Sequence, residues 1–114
     1  MNIRKCVWGI CLLAGLQVLQ AVEKSESDYL LIGSYAPAER EGLALYRLNQ
    51  ETADVERVSG LVGILNPSFL TPNPEKGLVY VVGEGDTDAN STVHTVSLDE
   101  QTGTMHLLNT LPTL

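Results

Sequence analysis

The feature that most constrains this chain is an internal repeat of strand-like segments. Residues 29–33 read YLLIG and residues 79–83 read VYVVG. Further along, residues 43–49 (LALYRLN) match residues 93–99 (VHTVSLD). Both matches hold at one offset of about 50 residues without gaps, a period typical of the blades of β-propellers. The repeat therefore predicts two successive copies of one β-sheet unit.

Each copy divides into runs that have the composition of strands. β-branched, aromatic and other apolar residues dominate these runs, and none has the spacing and end signals of an amphipathic helix. In the run 92–98, period-two geometry places His94, Val96 and Leu98 on one face. The predicted strands are residues 29–35, 43–48 and 55–61 in the first copy and residues 68–71, 78–83, 92–98 and 105–111 in the second.

Glycine and proline mark the connections between these strands. Gly103 lies in a tight connection where a positive φ is favourable. The first copy has Ala53 at the equivalent position, which should either weaken the turn or force another turn type. Pro72 and Pro74 exclude a central strand between the copies, because proline cannot donate to a ladder. We therefore expect only a short strand, residues 68–71, before them.

The first copy has three predicted strands, whereas the second has four. The missing member is the innermost strand, since only the amino-terminal segment precedes Tyr29. In propellers whose ring is closed by both chain ends, that strand would come from beyond Leu114. Two blades leave sheet edges and apolar faces open. We therefore expect this chain alone to be unstable or self-associating, and catalytically silent.

Residues 1–21 have the pattern of a secretory signal. Arg4 and Lys5 precede an uncharged apolar stretch, residues 6–16, and we expect cleavage after Ala21. The stretch is shorter than the roughly 20 residues of a transmembrane helix. An uncleaved membrane anchor is the alternative. The pattern predicts export to the periplasm or the medium, with no membrane contact once the signal is removed.

Composition excludes several classes of function. The net charge of −7 and a pI near 4.6 disfavour contact with phosphate backbones, so we expect no nucleic-acid partner. The two cysteines, Cys6 and Cys11, both lie in the signal segment. The rest of the chain therefore contains neither a disulfide framework nor a cysteine-based metal site.

Five segments occur in an order that is specific when taken together. They are residues 31–35 (LIGSY), 41–48 (EGLALYRL), 66–70 (NPSFL), 77–82 (GLVYVV) and 101–103 (QTG). This order resembles the start of the 6-phosphogluconolactonase-like lactonases. Members of that family are seven-bladed β-propellers that hydrolyse sugar or muconate-type lactones. The resemblance covers nearly everything from Tyr29 onward.

The resemblance implies an all-β fold in which antiparallel sheets form about two blades of a seven-bladed propeller, preceded by a signal helix. It also implies a small-molecule lactone as substrate and further blades as partners of these two. The family's catalytic His, Arg and Glu residues come mainly from later blades. The expected organisation is a signal peptide at 1–21, a polar linker at 22–28, an incomplete first blade at 29–62 and a second blade at 66–114.

Glu84 is the candidate catalytic residue. It follows an apolar strand and lies between Gly83 and Gly85, which would let backbone and ligand come close. The family often has Asn-Glu after this strand, so the acid is kept here and the Asn is lost. A solvated loop carboxylate is the alternative. His94 is either a base near neutral pH or a partly buried strand residue with one satisfied nitrogen, and His106 is expected on an exposed edge.

The polar loop of the second copy begins like a calcium site. Asp86, Asp88 and Asn90 alternate, but the later Gly and Glu positions of an EF-hand loop hold Ser91 and Ser97, so we reject that interpretation. Asn90 also begins a glycosylation sequon. The sequence has no phosphate-binding loop, serine nucleophile elbow or zinc-ligand spacing. We therefore expect no cofactor and no bound metal.

Three functions remain open at this point. The first is a lactonase of carbohydrate metabolism, in which a base assists the attack of water on a sugar lactone. The second is a non-catalytic propeller that serves as a binding module, since a fold alone does not determine function. The third is an inactive, truncated gene product.

Overall fold

The computed structural model describes residues 28–113, which form two antiparallel β-sheets and no α-helix. The strands are β1 (Asp28–Gly33), β2 (Leu43–Leu48), β3 (Val55–Leu61), β4 (Pro67–Asn73), β5 (Leu78–Gly83), β6 (Thr92–Asp99) and β7 (Thr104–Pro112). The first sheet has the order β1-β2-β3 and the second β4-β5-β6-β7. The predicted all-β fold is confirmed, whereas the predicted signal helix in residues 1–21 lies outside the described residues.

The sequence repeat also relates the two sheets in three dimensions. Strands β1 to β3 correspond to β5 to β7, and each sheet has a β-bulge at the same place. The ladder between β2 and β3 skips Val58, and the ladder between β6 and β7 skips Leu108, about 50 residues later. A bulge increases local twist, so the repeat includes an irregularity of the ladder as well as the strands themselves. The blade boundaries at 29–62 and 66–114 stay predictions.

The core forms where one face of the first sheet packs on one face of the second. Alternate strand residues supply most of it, as period-two geometry requires, and Ile64 comes from the loop between β3 and β4. Its buried members are Leu43, Leu45, Ile64, Val79, Val81, Val96 and Met105. Each fully buried side chain of this kind stabilises the fold by about 1.5–3 kcal/mol. The face of β6 that carries His94, Val96 and Leu98 points inward, since Leu98 also packs against this cluster.

The proline-containing segment forms a longer strand than predicted. β4 runs over Pro67–Asn73 and includes Pro72, whereas the sequence predicted an end at Thr71. Pro72 lies opposite Val79 in the edge strand of its sheet. Proline is compatible with an edge strand because one side of that strand has no ladder partner. The predicted boundary was therefore wrong, although the exclusion of a central strand holds.

The turns after β2 and β6 adopt the same conformation. Gly103 has a φ of 71° and Ala53 a φ of 61°. In the first turn the backbone N–H of Glu51 donates to Asn49 Oδ1 at 2.9 Å. In the second turn the backbone N–H of Gln101 donates to Asp99 Oδ1 at 2.8 Å. Ala53 therefore does not force another turn type. It adopts the left-handed conformation, in which a Cβ crowds the neighbouring carbonyl oxygen.

His94 is a buried member of the second sheet, with 4% of its surface exposed. Its Nε2 lies 2.8 Å from Thr92 Oγ1 and its Nδ1 lies 2.9 Å from Thr110 Oγ1. Burial lowers the pKa of His94, because the charged imidazolium is penalised away from water. His94 is thus a neutral core residue with both nitrogens partnered, and it is more buried than the sequence predicted.

The described part of the chain includes only two short helical turns, Pro74–Lys76 and Asp88–Asn90. Both are single 3₁₀ turns in loops between strands. Within residues 28–113, no helix has the length and apolar character needed to cross a membrane. The helical turns therefore serve as connections.

We expect Ala53→Gly to raise the free energy of unfolding by up to about 1 kcal/mol, because glycine relieves the left-handed strain of a Cβ. Urea denaturation followed by circular dichroism measures the change. The matched variant Gly103→Ala should act in the opposite direction and more strongly, since its Cβ would overlap Val58 of the first sheet. A destabilising Ala53→Gly would contradict the shared turn geometry.

We expect acid to destabilise the fold through His94. Below the usual histidine pKa of about 6.5, the unfolded chain binds a proton at His94 that the folded chain binds only at lower pH. Stability therefore falls as the pH drops below that value and is unaffected by His94 above it. Urea midpoints across this range should depend less on pH in His94→Gln than in the exposed control His106→Gln. Equal slopes in the two variants would refute this role.

Candidate functional site

Three loops meet at one end of the two sheets, because the strands alternate in direction. They are the β1–β2 loop (residues 34–42), the β3–β4 loop (residues 62–66) and the β5–β6 loop (residues 84–91). Backbone hydrogen bonds join the first two: Gly63 donates to Ala38 at 2.7 Å and Asn66 donates to Ala36 at 2.9 Å. We call this region the loop end. It contains the candidate residue Glu84.

Asn66 fixes the backbone at Glu84. The Glu84 N–H donates to the Asn66 carbonyl at 3.1 Å, and the Asn66 side-chain Nδ2 donates to the Glu84 carbonyl at 3.1 Å. Asn66 has a φ of 42°, a region that asparagine tolerates better than most residues. The Asn of the NPSFL segment therefore determines where Glu84 leaves strand β5.

The side chain of Glu84 is bonded to the loop of the first sheet. The Tyr35 hydroxyl donates a hydrogen bond to Glu84 Oε2. This bond is the largest of the effects that lower the pKa of Glu84, and the nearby Ser68 hydroxyl is the second. Desolvation raises the pKa by a smaller amount. The same bond raises the pKa of Tyr35. At neutral pH the site therefore presents an ionised, oriented carboxylate beside a neutral phenol.

Ser68 contributes a second hydroxyl to this region. Its Oγ is buried and makes no hydrogen bond within residues 28–113. It favours the charged form of Glu84 from nearby, although it lies outside hydrogen-bonding geometry. The Ser68 hydroxyl is shielded from solvent, so its role at this site is to support the negative charge of Glu84.

The glycines beside Glu84 are required because other groups of the protein pack closely against them. A Cβ at Gly83 would lie 2.8 Å from Thr92 Oγ1 and 2.9 Å from His94 Nε2. A Cβ at Gly85 would collide with Asn90. The interpretation that these glycines leave space for a ligand is therefore wrong, because neighbouring side chains fill that space.

The other candidate residues do not join Glu84 in one constellation. His94 is sequestered in the core, and His106 lies on the exposed edge strand β7, as predicted. Asp86 and Asp88 share the β5–β6 loop with Glu84 and are exposed. Among residues 28–113, no three His, Cys, Asp or Glu side chains are close enough to share a metal ion. The described site is therefore a carboxylate surrounded by hydroxyl groups.

Sequence reasoning missed Tyr35 and Ser68 as neighbours of Glu84. It extended the first strand to Tyr35, but β1 ends at Gly33 and Tyr35 lies in the loop. Both residues belong to the quoted segments LIGSY and NPSFL. Their hydroxyl groups inside those motifs were the signal that pointed to a polar role.

Comparisons with known proteins bear on the family to which this chain belongs. The family model "Lactonase, 7-bladed beta-propeller" matches residues 29–114. A proposed 6-phosphogluconolactonase from Bacteroides uniformis ATCC 8492 is 34% identical with a TM-score of 0.66, over 75% of this chain and 24% of that one. A second proposed 6-phosphogluconolactonase, from Bacteroides fragilis NCTC 9343, is 32% identical with a TM-score of 0.66. The match covers 79% of this chain and 24% of that one. A search of curated proteins gives no match.

The chain spans about a quarter of the length of these two solved structures. The family match begins at Tyr29, where the repeat begins, and includes both sheets as well as the Tyr35–Glu84 contact. The resemblance inferred from the five segments is thereby confirmed. The chain belongs to the lactonase family of seven-bladed β-propellers.

Proposed function

We propose that this chain is part of a lactonase that hydrolyses a sugar lactone in carbohydrate metabolism, with Glu84 as a catalytic residue. The observation that carries the proposal is the ionised Glu84 carboxylate, which Tyr35 and Asn66 hold at the loop end. Support also comes from the two solved structures, each described as a proposed 6-phosphogluconolactonase.

The reaction explains what an oriented carboxylate contributes. Water adds to the lactone carbonyl carbon, the ring C–O bond breaks, and a hydroxy acid forms. This chemistry needs an acceptor for hydrogen bonds from the attacking water and donors for the developing oxyanion. Glu84 supplies the acceptor through its carboxylate. Because its pKa is lowered, Glu84 orients water better than it removes a proton.

A second function, a non-catalytic binding module, is favoured by one observation. Neither Glu84 nor His94 has the properties of a general base near pH 7: the pKa of Glu84 is lowered, and His94 is buried with both nitrogens bonded. Such a site can bind a polar ligand without turning it over. The two functions differ in whether hydrolysis depends on Glu84.

A chimera tests the lactonase. Residues 29–113 would replace the matching quarter of the Bacteroides uniformis protein, and hydrolysis of D-glucono-1,5-lactone and its 6-phosphate would be measured. We expect activity in the chimera and only the spontaneous rate with this chain alone. Glu84→Gln should lower kcat/KM by about tenfold or more, whereas Glu75→Gln, in the turn at the opposite end, should not change it.

Two outcomes of that experiment contradict the proposal. A folded chimera without activity favours the binding module. An active chimera in which Glu84→Gln is as fast as the parent removes Glu84 from the catalytic site. Circular dichroism of each variant establishes that it is folded, and subtraction of the spontaneous hydrolysis rate isolates the enzymatic one.

Export is a further part of the proposal and rests on the sequence of residues 1–21, outside the described residues. We expect the protein in the periplasm or the medium, with an intact mass that corresponds to a first residue at Val22. Mass spectrometry after cell fractionation measures this. A full-length chain in the membrane fraction would indicate an uncleaved anchor, and a full-length cytosolic chain would refute export.

A further inference from the structure

Tyr35, Asn66 and Glu84 belong to one closed ring of bonds at the loop end. The Asn66 N–H donates to the carbonyl of Ala36, the residue after Tyr35, at 2.9 Å. The Asn66 carbonyl accepts the N–H of Glu84 at 3.1 Å, and the Glu84 carboxylate accepts the hydroxyl of Tyr35. The ring therefore joins all three loops of this end.

The ring explains why an exposed side-chain bond is retained. Tyr35 is 69% exposed, and water competes for a hydroxyl in that position, so an isolated bond of this kind is weak. Here Asn66 already fixes the backbone on both sides of the bond. The Ser34 N–H also donates to the Gly42 carbonyl at 2.9 Å, which closes the base of the β1–β2 loop. Forming the bond therefore orders only two side chains.

The bond leaves Tyr35 no proton to offer to a substrate. A tyrosine hydroxyl has a single donor, and Glu84 Oε2 accepts it. What the bond does control is the direction of the other carboxylate oxygen, because the Glu84 backbone is fixed as well. A group that positions water must be held closely, since a misplacement of about 1 Å costs on the order of a hundredfold in rate.

Among the titratable groups around Glu84, Tyr35 has the largest effect on its pKa, and it lowers that pKa. The β3–β4 loop and strand β4 contain no charged residue, and the nearby His94 is neutral. The remaining charged residues of the loops are exposed: Glu39, Arg40, Glu41, Asp86 and Asp88. Loss of the Tyr35 hydroxyl therefore raises the pKa of Glu84, and the ionised form is lost at a higher pH.

We propose that Tyr35 is the positioning residue of Glu84, which fixes the direction of the carboxylate from the first sheet and acts on lactone hydrolysis only through that carboxylate. The inference rests on the proposed lactonase function and deepens it. The site around Glu84 is then shared between the two sheets, with the carboxylate on the second sheet and the residue that orients it on the first.

Tyr35→Phe in the chimera tests this role, because phenylalanine keeps the aromatic ring and removes only the hydroxyl. Near neutral pH we expect kcat to fall about fivefold while KM stays within about twofold. The acid limb of the pH profile of kcat should move to higher pH, since Glu84 is protonated earlier. Tyr80→Phe removes a hydroxyl from the middle of β5 and should change neither quantity.

A double variant separates positioning from direct contact with the substrate. Because Tyr35 acts through Glu84, Tyr35→Phe added to Glu84→Gln should lower kcat/KM by less than about twofold further. Direct contact with the substrate, or a general loss of stability, gives instead a further loss close to that of the single variant. Additive losses overturn the proposal, as does a Tyr35→Phe chimera with the kcat and pH profile of the parent.

Infrared spectroscopy of the full chain distinguishes this proposal from the lactonase. With isotope-labelled glutamate, the signal that disappears in Glu84→Gln reports the ionisation of Glu84, also in self-associated protein. We expect its acid midpoint at a higher pH in Tyr35→Phe than in the parent chain. That shift with an inactive chimera refutes the lactonase and leaves the positioning of the carboxylate. An active chimera that depends on Glu84 but not on Tyr35 refutes the positioning residue and leaves the lactonase.

Discussion

The two sheets depend on the burial of one face of each against the other. Leu43 and Leu45 from β2 meet Val79, Val81 and Val96 from β5 and β6, and all five are fully buried. The loops that carry the site contribute only Ile64 to this core, so their relative position follows from the contact between the sheets. A hydrogen bond such as that between Tyr35 and Glu84, which joins one sheet to the other, requires the sheets to be packed first.

The packing also explains why two equivalent turns tolerate different residues. Gly103 is buried, and Val58, the bulged residue of β3, lies where a Cβ on Gly103 would be. Ser59 donates to the Gly103 carbonyl at 2.7 Å. Ala53 occupies the same turn position in the first copy and is exposed. Glycine is thus needed at the turn that contacts the preceding sheet, whereas at the exposed turn a Cβ produces only local strain.

Much of the fold follows from the sequence because strands have a short, regular period. The offset of about 50 residues predicted the strands, and the period of two placed His94, Val96 and Leu98 on one face. The strand through Pro72 was missed because it depends on β4 being an edge. Tyr35 and Ser68 were missed as neighbours of Glu84 because contacts between loops depend on how the sheets pack, which no local period encodes.

The environment of Glu84 favours one chemical role over another. The hydroxyl of Tyr35 that holds the carboxylate in place also lowers its pKa, so better orientation is accompanied by weaker basicity. His94, the other candidate base, is neutral and bonded through both nitrogens. The described residues therefore offer a fixed hydrogen-bond acceptor rather than a strong base, and the role that suits such a group is to position a polar partner.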